Sequence, residues 1–186
     1  MSKVILFNGP PGCGKDAAAE LCRTKLGFVH AKMADPLKDG LAGFFGVSRQ
    51  FLEENKENEC VDGLTWRQVL ISFSEDWMKP KLGKDIMGRV ALLRLKQLPL
   101  WRNIAISDSG FENEVLPWIR EFNAQNILLV RIHRPGHNFS GDSRTYLDLS
   151  MRGINAIDLS NDGTLHEFLD KVMSVAGVFV ADRNVA

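Results

Sequence analysis

The chain has 186 residues, 45% of them apolar and 25% charged, which suits one globular domain with a sizeable buried core. Its 23 basic and 23 acidic residues cancel, so net charge argues against a nucleic-acid or membrane surface. Three cysteines without a C-x-x-C spacing point to neither a disulfide framework nor a zinc site, and Met1-Ser2-Lys3 leads on without a signal pattern, so a reducing cytoplasm is the expected setting.

Residues 4–7 read as a fully buried strand. The stretch "GPPGCGK" follows from Gly9 to Lys15, and a helix is expected over 15–26 with Ala18, Leu21, Cys22 and Leu26 inward. A short strand is expected at 28–31, then helical segments at 36–45, at 48–57 and from 65 onward. Thr65 and Gln68 have the spacing of a capping box, and Pro80 with Gly83 ends that run before another helix over 85–98. "NIAIS" at 103–107 reads as a strand, 113–122 as a helix complicated by Pro117, and "NILLVRI" at 126–132 as a buried strand. Residues 134–152 are polar and contain glycine, and read as a mobile excursion. "INAIDLS" at 154–160 gives the last strand, and Thr164 with Glu167 caps a final helix, whose apolar stretch at 172–181 is too short to span a bilayer. Strands alternating with helices, some strands continuously apolar, predict an α/β fold with a parallel sheet covered on both faces. In such sheets ligands bind beyond the carboxyl ends of the strands, where both the 9–15 loop and Asp108 lie.

The 9–15 stretch has the form of a phosphate-binding loop, G-x-x-x-x-G-K. Gly9, Gly12 and Gly14 permit the backbone to turn several N–H groups toward one anion, the helix adds its positive end, and Lys15 can reach the terminal phosphates of a nucleoside triphosphate. Position 16, where such loops offer a hydroxyl to magnesium, is Asp16. Its carboxylate suits Mg²⁺ as a hard oxygen ligand, directly or through water; alternatively it is a favourable first-turn residue, worth about 0.3–1 kcal/mol from the helix dipole. Asp108 at the end of the 103–107 strand is a second candidate for magnesium, or an ordinary turn residue. Arg131 and Arg134 close the 126–132 strand, and Arg144 and Arg152 lie in the polar excursion. Guanidinium groups match the oxygens of a phosphoryl group in transfer, and Arg134 and then Arg144 are the candidates for that role. No Ser-His-Asp or Cys-His pattern is present, as suits a kinase whose acceptor is already an anionic phosphate and needs no strong base.

Several stretches together resemble the deoxynucleoside monophosphate kinases encoded by bacteriophages: "GKD" at 14–16, "ADPLKDGLA" at 34–42, "TWRQVLISFSED" at 65–76, "ISDSGFENE" at 106–114, "VRIHRPG" at 130–136 and "LSNDGTLHEFLDKV" at 159–172. They keep the family's order over nearly the whole chain, and Lys-Asp in place of Lys-Ser/Thr is itself a mark of this family and of the similar phosphomevalonate kinases. The resemblance implies a three-layer P-loop kinase fold with a parallel sheet, a helical acceptor-binding part at about 34–100 and a lid at about 134–152, all in one domain. It implies Mg²⁺-dependent transfer of the ATP γ-phosphoryl group to a deoxynucleoside monophosphate in the cytoplasm (a host's, for a phage enzyme). The partners are then small nucleotides, with no nucleic acid or membrane and with a homodimer as the candidate assembly. Carried over by position, Gly9, Gly12, Cys13, Gly14, Lys15, Asp16 and Ala17 hold triphosphate and metal, and Asn161, Asp162 and Gly163 form the turn where related kinases rest the adenine. Lys38, Arg67, Glu114 and Arg144 serve the acceptor, and Lys15, Asp108 and Arg134 the transfer. Two positions depart from the pattern: Ala17 where the family often has threonine, and Gly110 where it often has arginine. Another phosphate-accepting kinase, for ribonucleotides or phosphomevalonate, and a nucleotide-binding module without catalysis are the alternatives.

Overall fold

The computed structural model describes residues 2–97 and 102–181. Its first strand, β1 (Val4–Asn8), is buried along its whole length and its side chains alternate between two cores. Val4 and Leu6 face one core, Ile5 and Phe7 the other. The phosphate-loop stretch leads into α1 (Lys15–Leu26), which ends at Gly27 in the left-handed conformation, and β2 (Val29–Ala31) comes next. Then come α2 (Asp35–Phe44) and α3 (Arg49–Glu54), the latter capped by the Ser48 hydroxyl. A hairpin, β3 (Glu59–Val61) and β4 (Leu64–Thr65), was not expected, although Asp62-Gly63 is a two-residue turn signal and both residues have positive φ.

The Thr65–Gln68 capping box is formed, and the long helix it starts has three parts. α4 (Trp66–Ser72) passes into a π-helical turn over Phe73–Met78, and α5 (Lys79–Leu82) ends at Gly83. α6 (Ile86–Lys96) is next; the expected end of this helix at residue 98 lies outside the described residues. β5 (Ile104–Ile106) leads into α7 (Glu112–Phe122), which runs through the buried Pro117. β6 (Ile127–His133), β7 (Asn155–Ser160) and α8 (Leu165–Ala181) complete the chain. No helix among the described residues is long and apolar enough to cross a membrane.

The main sheet is parallel throughout, in the order β2-β5-β1-β6-β7. One face packs on α6 and α7 through Met87, Leu92, Val115 and Trp118; the other packs on α1 and α8 through Ala18, Cys22, Phe168 and Val172. Each fully buried Leu, Ile or Phe contributes roughly 1.5–3 kcal/mol, so the two cores account for most of the sheet's stability. A smaller cluster of Ala42, Leu52 and Trp66 holds α2, α3 and the start of α4 together. The excursion at 134–152 is only partly as expected. Leu147 and Leu149 are buried in the core beside α7, so the second half of this segment is fastened to the molecule by apolar contact.

Candidate functional site

The sheet order places the site. β5 lies between β1 and β2, so the residues after β5 meet both the loop after β1 and the segment after β2. The loop 9–14 turns tightly, with Gly12 at φ 76° and Gly14 at φ 112°, a region that costs other residues strain. Its carbonyls are taken by donors from around it. Lys15 Nζ donates to the carbonyls of Gly9 and Pro10, each at 2.7 Å, and burial lowers the pKa of its ammonium. Arg134 donates to the Gly12 carbonyl (2.8 Å) and the Asn161 amide to that of Cys13 (2.8 Å). The end of β6 and the turn after β7 are therefore both in contact with the loop. In that last turn Asp162 pairs with Lys171 at 3.0 Å, and Gly163 lies against Glu167. Ala17 occupies the first turn of α1.

Asp16 is the centre of a network that joins three strands' ends. Its Oδ1 accepts from the Ser107 hydroxyl (2.7 Å) and from Lys32 Nζ (2.8 Å), and Ser107 Oγ in turn lies 2.9 Å from His30 Nε2. Because the Ser107 proton goes to Asp16, His30 Nε2 donates to the Ser107 oxygen. Burial would raise the Asp16 carboxyl, but Lys32 and Ser107 outweigh it and hold the group below the ordinary carboxylate value. Lys32 was not expected here; burial opposes its charge, yet Asp16 with Asp108 and Asp35 lifts it above the ordinary lysine value.

Asp108 is placed differently from the expectation of an open metal ligand. Its two oxygens accept the backbone N–H groups of Met33 (2.7 Å) and Ala34 (3.0 Å), and burial pushes its pKa up. It clamps the turn from β2 into α2. No group of three or more His, Cys, Asp or Glu able to hold a metal occurs among the described residues. A magnesium ion carried by a triphosphate needs little from the protein, since phosphate and water oxygens fill most of its sphere. Asp16, a carboxylate kept ionised at the phosphate loop, fits that need; Asp108, with both oxygens bound to backbone, fits it poorly.

Beside Asp16 a cleft of about 460 Å³ is lined by His30, Lys32, Asp35, Arg49 and Glu53. Arg49 binds Asp35 (2.7 Å), Asp39 (2.6 Å) and Glu53 (2.8 Å), and Lys38 donates to Glu53 at 2.7 Å. Burial lowers the pKa of Lys38; it would raise that of Glu53, but Lys38, Lys56 and Arg49 drive that carboxyl far down. Arg49 lines this cleft, and its sequence context did not single it out. The signal for it was charge at helical spacing, with Asp35 and Asp39 four apart on α2 opposite Arg49 and Glu53 four apart on α3. Arg67 is not in this cleft. It is 56% exposed and pairs with Glu57, because the capping box sets the phase of α4 with Trp66 inward and Arg67 outward. Arg131 and Arg152 are likewise engaged elsewhere, with Asp158 (2.6 Å) and Glu112 (2.8 Å).

Glu114 is buried on α7, 3.3 Å from Lys79 Nζ, which also lies 4.0 Å above the Phe111 ring. The π turn adds a residue to one turn, rotating the rest of the helix by about 100° relative to an unbroken α-helix, and Lys79 is the first residue after it. Burial pushes the Glu114 carboxyl up to about 7, against the opposing charge of Lys79. A carboxyl raised in the fold binds its proton more tightly there than in the unfolded chain. Its contribution is therefore fully present below about pH 4.5 and fades as pH rises to about 7, by about 3 kcal/mol in total. Glu114→Gln should remove this slope. In urea denaturation the variant should gain on the wild type between pH 5 and pH 8, and parallel stability profiles would show that Glu114 does not titrate in that window.

No family model matches the chain. A protein of Acanthamoeba polyphaga mimivirus, provisionally named deoxynucleotide monophosphate kinase, is 28% identical over 188 residues, covering 92% of this chain and 94% of its own length. An adenylate kinase of Prochlorococcus marinus is 29% identical over 104 residues, 49% of this chain and 57% of that one. The solved structure of an APS kinase from Mycobacterium tuberculosis, in complex with AMPPNP and APS, superposes with a TM-score of 0.51 at 15% identity, over 97% of this chain and 98% of that one. The chain has the fold of the phosphate-loop kinases and is similar in sequence to nucleotide kinases.

Proposed function

We propose that this chain transfers the γ-phosphoryl group of ATP to a deoxynucleoside monophosphate. The observation that carries the reading is Lys32, which pairs with Asp16 at the phosphate loop and also lines the polar cleft beside it. One cation thus joins a donor site to a compartment where a phosphorylated acceptor can lie. The mimivirus relative and the resemblance to phage enzymes support a deoxynucleotide as that acceptor.

In this reading Gly9, Gly12, Cys13 and Gly14 cradle the triphosphate with their N–H groups, and the N-terminus of α1 favours its charge. Lys15 leaves the Gly9 and Pro10 carbonyls for the terminal phosphates, and Arg134 leaves Gly12 to neutralise the phosphoryl group from the side of β6. Asp16 would hold Mg²⁺, which when bound neutralises phosphate oxygens. Asp108 keeps the turn into α2, and with it the cleft, in place. Arg49, Lys38 and Lys32 form the cationic side of that cleft, where an acceptor phosphate exchanges with the carboxylates now paired to them. Because the acceptor oxygen is anionic, these groups act by position and charge. Helices α2 to α6 form the acceptor-binding part, and the lid is the segment from Arg134 to about residue 143, before the chain is fastened at Leu147. Asn161, Asp162 and Gly163 border the adenine.

The test is a coupled assay with ATP, Mg²⁺ and a panel of deoxyribo- and ribonucleoside monophosphates. Turnover with deoxyribonucleotides, at least tenfold above that with any ribonucleotide, is the expected result. No turnover with any monophosphate in the panel would overturn the reading.

A further inference from the structure

Gly110 lies two residues beyond Asp108, in the turn from β5 to α7, and its φ is not positive. A left-handed φ therefore does not explain the glycine there. Space does. A Cβ at position 110 would sit 2.3 Å from Cδ and 2.8 Å from Cγ of Arg144, so the arginine's stem lies directly over the missing side chain.

Arg144 is also held from behind. Asn8, fully buried at the end of β1, donates its amide to the carbonyls of Ser109 (2.9 Å) and Thr145 (3.2 Å) and accepts the N–H of Leu147 (3.0 Å). One side chain therefore fixes the residues beside Gly110 and beside Arg144 to the strand that carries the phosphate loop. Removing such a buried amide's partners is costly, so this stretch is not free to swing. The guanidinium at the end of the stem forks onto Asp142, with Nε 2.8 Å from Oδ1 and Nη2 on Oδ2. It is close enough to weaken the proton affinity of Lys15 and to feel Asp108 and Glu114. A carboxylate in that fork has the shape and charge that a phosphate would offer.

We propose that Gly110 is the positioning residue that seats Arg144 over the phosphate loop, and that Arg144 exchanges Asp142 for the phosphate under transfer. Position 110 lacks a cation of its own and instead makes room for one that arrives from position 144. This rests on the phosphoryl-transfer reading above, and it names an arginine that the turn after β5 does not itself supply.

The experiment compares wild type, Gly110→Ala, Arg144→Ala, Arg144→Lys and the double variant Gly110→Ala/Arg144→Ala. Three readouts are taken: thermal melts, kcat and KM in the coupled assay, and affinity for AMPPNP by calorimetry. Both single alanine variants should lose more than tenfold in kcat with acceptor KM changed less than threefold, and should bind AMPPNP several-fold more weakly. Arg144→Lys should recover part of the loss. The double variant should be no worse than Arg144→Ala, because the added Cβ then meets only the Cβ of residue 144, at an ordinary contact distance of 3.5 Å. Additive losses, or a Gly110→Ala variant that behaves as wild type, would overturn the seating role. Should Gly110→Ala fail to fold, the double variant decides: folding with the properties of Arg144→Ala supports the inference, and failure to fold overturns it. Should wild type transfer phosphate to no acceptor, the functional reading falls, and AMPPNP affinity alone decides the placement of Arg144.

Discussion

Lys15→Ala should lower kcat by on the order of 10³ while the protein stays folded, the scale seen when one charge-stabilising group is removed from a transition state. The ammonium lies at the point where strand, loop and helix meet, and its hydrogen bonds go to its own loop, at the Gly9 and Pro10 carbonyls and the Cys13 sulfur. Burial has already weakened its hold on its proton, so it favours an incoming anion strongly. Gly9 and Pro10 are buried, so each carbonyl that loses this charged donor should cost about 1–3 kcal/mol of stability, which an ordinary domain can lose and stay folded. The check is kcat in the coupled assay beside a thermal melt. Wild-type turnover in this variant would remove the phosphate-loop assignment, and with it the proposed donor site.

Asp16 should separate metal binding from helix capping. Asp16→Ala is expected to lose about tenfold or more in kcat and to need several-fold more Mg²⁺ for half-maximal rate, because water alone would fill the place of the carboxylate. Asp16→Ser restores the hydroxyl of ordinary phosphate loops and should retain measurable activity. Asp16→Asn keeps the shape and removes the charge that now answers Lys32 and Ser107, so it should raise the magnesium midpoint while leaving the network's geometry similar. If Asp16 were only a first-turn residue, all three would lower stability by about 0.3–1 kcal/mol and leave the magnesium midpoint unchanged. A magnesium titration of initial rates, run beside melts of the same variants, distinguishes the two outcomes.

The features that the sequence determined by itself are those that depend on neighbours along the chain. The glycines, Lys15 and the helix after them form a phosphate loop because the required conformations and charges are contiguous. The strands at 4–7, 103–107 and 126–132 arise from runs of apolar residues, the one at 154–160 from apolar residues interspersed with polar ones, and the Thr65 cap from a three-residue spacing. The Asp62-Gly63 hairpin was legible in the same local way, though helical periodicity on either side obscured it. The tertiary structure alone decided the contacts that cross between segments. By inserting β5 between β1 and β2, the sheet order brings Ser107 and Lys32 onto Asp16 and commits both Asp108 oxygens to the turn into α2. Packing between segments also turns Arg49 into the cleft and lays the stem of Arg144 over Gly110. Residues some 15 to 90 positions apart have no shared periodicity, so their pairing is set by which strand lies beside which, and that is fixed by the packing of the two cores.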